Sequence, residues 1–230
     1  MRRLTRRALP MLLAFLTACS SFALPSSAEP IVYRSVATAS HRIALTFDDG
    51  PHPTQTAQIL EILARYGVKA TFFMVGQNVR LYPETARAVL AAGHEIGNHT
   101  ASHPHLDRLN EVLLDAELEA CESALEELCE YRSHLFRPPE GALTPFVGRL
   151  AEGRDYTLVL WSVDPRDWEK PDAARIADEV LTHVRPGAII LLHDYVGRKS
   201  ATPEALEMLL PALLAEGYEP VTVSRLLGFG

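Results

Sequence analysis

The chain has 230 residues, with 22 basic and 29 acidic side chains, 47% hydrophobic residues and a net charge of −7. That length holds one large domain or two small ones and suffices to bury a core. The acidic balance excludes the basic surface needed to grip phosphates or anionic lipid, so neither nucleic acid nor a charged membrane surface is an expected partner. Three cysteines are too few for a disulfide scaffold.

Residues 1–28 read apart from the rest. Arg2, Arg3, Arg6 and Arg7 precede the apolar run 8–18, ALPMLLAFLTA. The run is shorter than the roughly 20 apolar residues of a membrane-spanning helix. A basic start, a short apolar stretch and then small residues describe an export signal, with Ser26-Ser27-Ala28 as a cleavage site before Glu29. Leu16-Thr17-Ala18-Cys19 also fits a lipoprotein box, in which Cys19 takes a lipid anchor. A buried N-terminal helix is the competing reading, disfavoured by four arginines and no acid before the run. The expected product is exported, periplasmic or extracellular, without a transmembrane span. It comprises a segment 29–41 and one domain over 42–230, with no room for a separate binding module. Without residues 1–28 the balance is 18 basic against 29 acidic, a net −11.

From residue 42 apolar strand-like runs alternate with amphipathic stretches. The pattern predicts strands at 43–47, 70–75, 95–97, 134–137, 157–163, 188–193 and 219–223. Helices are predicted near 54–66, 84–92, 109–129, 144–153, 173–184 and 203–216, with Gly67, Gly93 and Gly217 just past three of their ends. Such alternation implies α/β architecture with parallel strands covered by helices, as a barrel or an open sheet. Cys121 and Cys129 fall eight apart in one predicted helix. At 1.5 Å rise per residue that is about 12 Å, too far for a disulfide, so buried free thiols are expected.

Polar residues cluster just after the predicted strands, where a parallel barrel carries its active site. Thr46-Phe47-Asp48-Asp49-Gly50-Pro51 sets two carboxylates side by side. Asp, Gly and Pro favour turns, but a cation would make the pair useful, with one acid as ligand and one as proton acceptor. Gly97-Asn98-His99-Thr100-Ala101-Ser102-His103 places two histidines four apart. On one helical turn such imidazoles share a face, and two histidines plus one carboxylate make a three-ligand zinc set with an open position. A pair of loop or capping histidines is the alternative. Asn98 and Thr100 are candidates to orient the ligands. His41, His52, His94, His105, His134 and His183 lack this spacing and are expected to be structural or exposed.

Phe136-Arg137-Pro138-Pro139-Glu140-Gly141 fixes an arginine beside a stiff turn, suited to holding a carboxylate ionised. Asp164-Pro165-Arg166-Asp167-Trp168 pairs acids with an indole, and Leu191-Leu192-His193-Asp194 ends an apolar strand on an imidazole. Singly these also read as a salt bridge, a turn and a core histidine.

Taken in order, TFDDGP, GHEIGNHTASHPHL, FRPPEG, VDPRDW and IILLHD resemble the polysaccharide deacetylase family, the NodB-homology domain of carbohydrate esterase family 4. The resemblance runs from about residue 42 to 223 and includes GVKATFFMVGQNV. It implies a distorted (β/α) barrel of about seven parallel strands and metal-dependent removal of acetyl groups from sugars. It further implies Asp49, His99 and His103 as metal ligands, Asp48 as general base and His193 as general acid. Arg137 would pair with Asp48, and Asp167 with His193. Trp168 and Leu191 would enclose the acetyl methyl, and the Glu140 backbone N–H would face the oxyanion. Zinc is the expected divalent ion on ligand chemistry, with cobalt or another ion as alternatives.

One residue departs from the family pattern: Glu140 stands where an aromatic residue is usual. The backbone donor survives the change, but a stacking surface for a sugar is lost and a carboxylate gained, with a salt bridge to a neighbouring arginine expected. The implied partner is an acetylated glycan, peptidoglycan amino sugars ahead of chitin-type oligomers, acted on by a monomer. An O-acetyl xylan esterase is the alternative within the class. A non-catalytic glycan-binding protein or a structural envelope lipoprotein is the alternative outside it.

Overall fold

A computed structural model describes residues 30–169, 171–197 and 200–229, so the segment 1–28 expected to be an export signal, with Cys19, lies outside the described residues. Continuous apolar runs make the strands. β2 (Arg42–Asp48) is buried over its last six residues, as a parallel strand covered on both faces must be. β3 (Thr71–Met74), β4 (Glu95–Asn98), β5 (Leu135–Phe136), β6 (Thr157–Val159), β7 (Ile189–His193) and β8 (Glu219–Val221) follow the expected runs, most of them shortened. A further strand, β1 (Val32–Tyr33), pairs with β6 and is too short to carry a periodic signal.

The sheet is parallel at every strand pairing, in the order β1-β6-β5-β4-β3-β2-β7, with β8 branching from β2. Its hydrogen-bonded ladder does not close. Isolated bridges Ser35–Ala188 and Val163–Ile190 nevertheless bring the β1–β6 side against β7. The expected single-domain α/β architecture of parallel strands is therefore present and compatible with a distorted barrel, with eight strands among the described residues where about seven were expected.

Helices α1 (Gln55–Arg65), α3 (Pro83–Ala91), α4 (Glu111–Cys129), α5 (Val147–Gly153), α6 (Ala173–His183) and α7 (Thr202–Ala215) match predicted segments. α2 (Gly76–Leu81) and α8 (Val223–Leu227) span under two turns and escape a pattern search. Asn110 and Asp172 cap α4 and α6, accepting from Leu113 N at 2.9 Å and Arg175 N at 2.8 Å. The main core interleaves Ile43, Leu45 and Phe47 of β2 with Ile59 and Leu63 of α1 and Leu206 and Leu209 of α7. Cys121 is a buried free thiol as expected, whereas Cys129, at the last turn of α4, is only half-buried. No helix among the described residues is long and apolar enough to cross a membrane.

Strand register assembles the site. Asp48 faces His193 on β7 and Phe73 on β3; Met74 faces Asn98, and Asn98 faces Phe136. Every chemically marked segment thus emerges at the carboxyl end of the sheet. Gly97 of β4 has a packing role, since a Cβ there would lie 2.3 Å from the Phe73 ring. Under the sheet, buried His94 accepts the Ala70 N–H at Nδ1, 3.1 Å away. Burial, then the Lys69 charge, lowers its pKa to about 4. The unfolded chain takes a proton here near pH 6.5 and the folded chain does not. Stability is therefore expected to fall as pH drops from about 6.5 towards 4. Urea midpoints across that range should show the loss, and His94→Phe should flatten it while costing about 1–3 kcal/mol at pH 8 through the orphaned Ala70 N–H.

Candidate active site

The arginine after β5 is the deepest charged group. Arg137 has no exposed surface, and its Nη1 donates to Asp48 Oδ1 at 2.7 Å and Thr46 Oγ1 at 2.8 Å. Nε and Nη2 reach the Val159 and Leu160 carbonyls at 3.2 and 3.1 Å, and the guanidinium lies 4.0 Å from the Phe73 ring centre. Thr46 and Asp48 are two apart on β2 and therefore point to the same face. With Oδ1 pinned, Asp48 turns Oδ2 towards His99 Nε2, 3.7 Å away.

Asp49, His99 and His103 meet beside that pair. Their ligand atoms lie within 4.8 Å of one another, with Asp49 Oδ1 at 3.4 Å from His99 Nε2 and 3.3 Å from His103 Nε2. The histidines do not share a helical face: residues 99–105 form a loop. Left-handed backbone at Thr100 (φ 67°) and His103 (φ 54°) brings their rings to 5.0 Å instead. His99 Nδ1 is 2.7 Å from the Arg137 carbonyl oxygen, so Nδ1 carries the hydrogen and Nε2 presents a lone pair.

Buried Asp49 Oδ1 has no hydrogen-bond partner although two imidazole nitrogens face it. Lone pairs in that arrangement repel unless a proton or cation lies among them. A tetrahedral ion with bonds of about 2.1 Å separates its ligands by about 3.4 Å, the spacing found here. Burial opposes charge at all three groups. His99 and the other imidazoles still hold the Asp49 pKa below the ordinary carboxylate value, while burial and the neighbouring His99 lower that of His103. At His99 the Asp48 and Asp49 carboxylates outweigh burial and raise the pKa.

On the opposite wall His193 ends β7. Its Nδ1 lies 2.7 Å from Asp167 Oδ1, and its backbone N–H donates to Asp167 Oδ2 at 2.8 Å. Thr202 Oγ1 donates to the same oxygen at 2.7 Å, leaving Asp167 1% exposed. Burial disfavours the imidazolium, but the Asp167 hydrogen bond and charge, with Asp48 and Asp49, raise the His193 pKa to about 9. Leu191, two residues earlier on the same face of β7, is buried, while Trp168 is 44% exposed beneath the Arg166 guanidinium.

Glu140 sits in a short turn (Pro139–Gly141) with φ 56°. The turn's hydrogen bonds use the Gly141 and Ala142 N–H groups, leaving the Glu140 N–H outside that ladder. Its carboxylate meets His105 Nδ1 at 3.2 Å, not the expected arginine, because the 99–105 loop passes alongside. The remaining histidines are structural or exposed; His52, for example, receives the Gln55 N–H at the start of α1. Sequence reading missed the supports Thr46, Thr202, Tyr156 and Thr56. Only Thr46 carried a usable signal, its two-residue spacing from Asp48.

A family model described as polysaccharide deacetylase matches residues 35–159. A peptidoglycan-N-acetylglucosamine deacetylase of Bacillus cereus is 41% identical over 81% of this chain and 88% of its own. A chitooligosaccharide deacetylase of Azorhizobium caulinodans is 39% identical over 76% of this chain and 90% of its own. Among solved structures, a family 4 acetyl xylan esterase from Clostridium thermocellum in complex with cobalt superposes with a TM-score of 0.75 at 33% identity, covering 82% of this chain and 91% of that one.

The buried pair makes a thermodynamic prediction. Arg137→Met leaves Asp48 buried without its cation and should cost about 3–5 kcal/mol in denaturant unfolding. Adding Asp48→Asn should recover part of that loss, so the double-mutant cycle should show coupling rather than additivity.

Proposed function

Since the chain belongs to the polysaccharide deacetylase family, we propose that it hydrolyses acetyl groups from N-acetylated amino sugars of a glycan, with peptidoglycan preferred to chitin-type oligomers. The observation that carries this reading is the Asp49, His99 and His103 donor set, with Asp49 Oδ1 at 3.3–3.4 Å from both imidazole nitrogens and all three donors within 4.8 Å, flanked by an arginine-held acid and an aspartate-held histidine. These three residues would hold one divalent ion, zinc by donor type. When bound, such an ion supplies Lewis-acid polarisation of a carbonyl and acidification of water.

The chain's own groups divide the proton work. Asp48 has one oxygen locked by Arg137, so only Oδ2 is left to accept a proton from the attacking water. His193 has Nδ1 committed to Asp167, which leaves Nε2 to deliver a proton to the departing amine. The Glu140 N–H is free of its own turn and suits a developing oxyanion, while Leu191 and Trp168 border the acetyl methyl. The same groups suit an O-acetyl ester, and the structural likeness to an acetyl xylan esterase favours that as the second reading. Residues 1–28 read as an export signal, with Cys19 as an alternative lipid anchor, and would place the domain with extracytoplasmic glycans.

Acetate release from N-acetylated oligosaccharides should occur and should stop on chelation. His99→Ala should lose both metal and activity, whereas Asp48→Asn should keep metal and lose at least about 100-fold in rate. Metal-independent silence on every acetylated glycan would instead mark a non-catalytic glycan-binding protein.

The acid makes a second prediction. His193 must be protonated to act, so activity should persist until pH rises through its pKa of about 9. Asp167→Asn removes the stabilising charge, lowers that pKa and should move the alkaline limb of the kcat/KM profile to lower pH.

A further inference from the structure

The turn that carries the two histidines is costly to hold. Thr100 and His103 both have left-handed backbone without being glycine, a conformation worth about 1–2 kcal/mol per residue. Such residues persist only where their surroundings over-determine them. From β4 the Thr100 N–H donates to Asn98 Oδ1 at 2.8 Å, and within the turn the His103 N–H donates to Thr100 Oγ1 at 3.1 Å; from α2 the Gly76 N–H donates to the Thr100 carbonyl at 3.0 Å. Asn98, fully buried at the end of β4, is thus the side-chain anchor of the Thr100 N–H.

Asn98 is itself fixed from the other end. Its Nδ2 donates to Tyr156 Oη at 2.7 Å and to the Leu118 carbonyl at 3.1 Å. Because an amide nitrogen only donates, the Tyr156 oxygen must accept; burial, then the neighbouring Glu122 carboxylate, raises the pKa of its phenol. Glu122 in turn receives Arg154 Nη1 at 2.6 Å, and Arg154 also binds Asp115 and Glu119 on the same face of α4. Hydrogen bonds therefore run from Tyr156 through Asn98 and Thr100 to the His103 backbone, and Glu122 ties Tyr156 electrostatically to a charged surface cluster.

We infer that Tyr156 is a positioning residue for the histidine turn, acting through Asn98 to hold His103 where it can share a cation with Asp49 and His99. The inference rests on the cation reading of those three residues. Without the hydroxyl, Asn98 keeps one of its two Nδ2 partners and can rotate, releasing the acceptor that Thr100 N–H needs. Groups behind metal ligands typically change affinity about 10–100-fold when removed.

Tyr131 supplies the control. Its hydroxyl also binds β4, at Ile96 N and O (3.4 and 3.2 Å), but has no link to the turn. In metal-free protein, Tyr156→Phe should speed hydrogen exchange at the Thr100 and His103 amides, and Tyr131→Phe should leave them unchanged. In Zn2+ titrations Tyr156→Phe should bind at least tenfold more weakly, with Tyr131→Phe close to wild type. The Co2+ derivative should show altered visible bands only in the first variant. If Tyr156→Phe proves too unstable to assay, Glu122→Ala removes the carboxylate that acts on its hydroxyl and should shift the same readouts in the same direction. Unchanged exchange at Thr100 and His103 in the Tyr156 variant, or equal effects of both tyrosine variants, would overturn the assignment. Wild-type protein that takes up no Zn2+ would defeat the cation reading, and the exchange data alone would then decide the role of Tyr156.

Discussion

A guanidinium with no exposed surface has few ways to survive in a protein interior, and the one used here organises the site. Arg137 meets one carboxylate, one hydroxyl, two carbonyls and an aromatic face. Burying the two charges of its pair with Asp48 is tolerable only if the geometry of all these partners is kept. The constraint then spreads outward. Phe73 can lie over the guanidinium because β4 carries Gly97 at the contact, and the Arg137 carbonyl sets the His99 tautomer. The guanidinium that fixes Asp48 also orients His99 of the neighbouring triad, through the Arg137 backbone carbonyl.

Around that fixed point the backbone is bent where the chemistry needs it. Asp49, Thr100, His103 and Glu140 all have positive φ without being glycine. Local strain is affordable there because the parallel sheet beneath is rigid and its strand ends are in register. The Asp49 turn has a further brace. Asp194 is 1% exposed, its Oδ2 accepts from Thr56 Oγ1 at 2.5 Å, and it packs so closely on Gly50 that any Cβ would collide with it. Burial, together with the Asp49 and Asp48 charges, pushes its pKa up to about 7 against the Thr56 hydrogen bond.

Much of this was legible in the chain itself. Apolar runs gave the strands because parallel strands are buried on both faces, and the polar residues closing those runs marked the site. The pairings of Arg137 with Asp48 and of Asp167 with His193 follow from family resemblance, not from spacing: both partners lie far apart in the chain and meet only through sheet order. The helical reading of His99 and His103 failed because identical four-residue spacing arises when two left-handed residues fold a loop back on itself. The partner of Glu140 was misread for a related reason, since nothing in Glu140's own neighbourhood reveals which loop lies alongside. Supports such as Tyr156, Thr202 and Thr56 were invisible because a lone hydroxyl carries no pattern until the fold supplies its neighbour.

The two loops that frame the site are joined twice. His99 meets the Arg137 carbonyl at the base, and His105 meets the Glu140 carboxylate at the rim. Between these bridges lie His103 on one side and the Glu140 N–H on the other. The rim around Glu140 and the His99–His103 loop are therefore linked at both ends. Replacing Glu140 by an aromatic residue to offer a sugar a stacking surface would also cut the outer bridge and unload the segment that carries His103. In this scaffold the residue at position 140 and the placement of the His103 loop are structurally coupled.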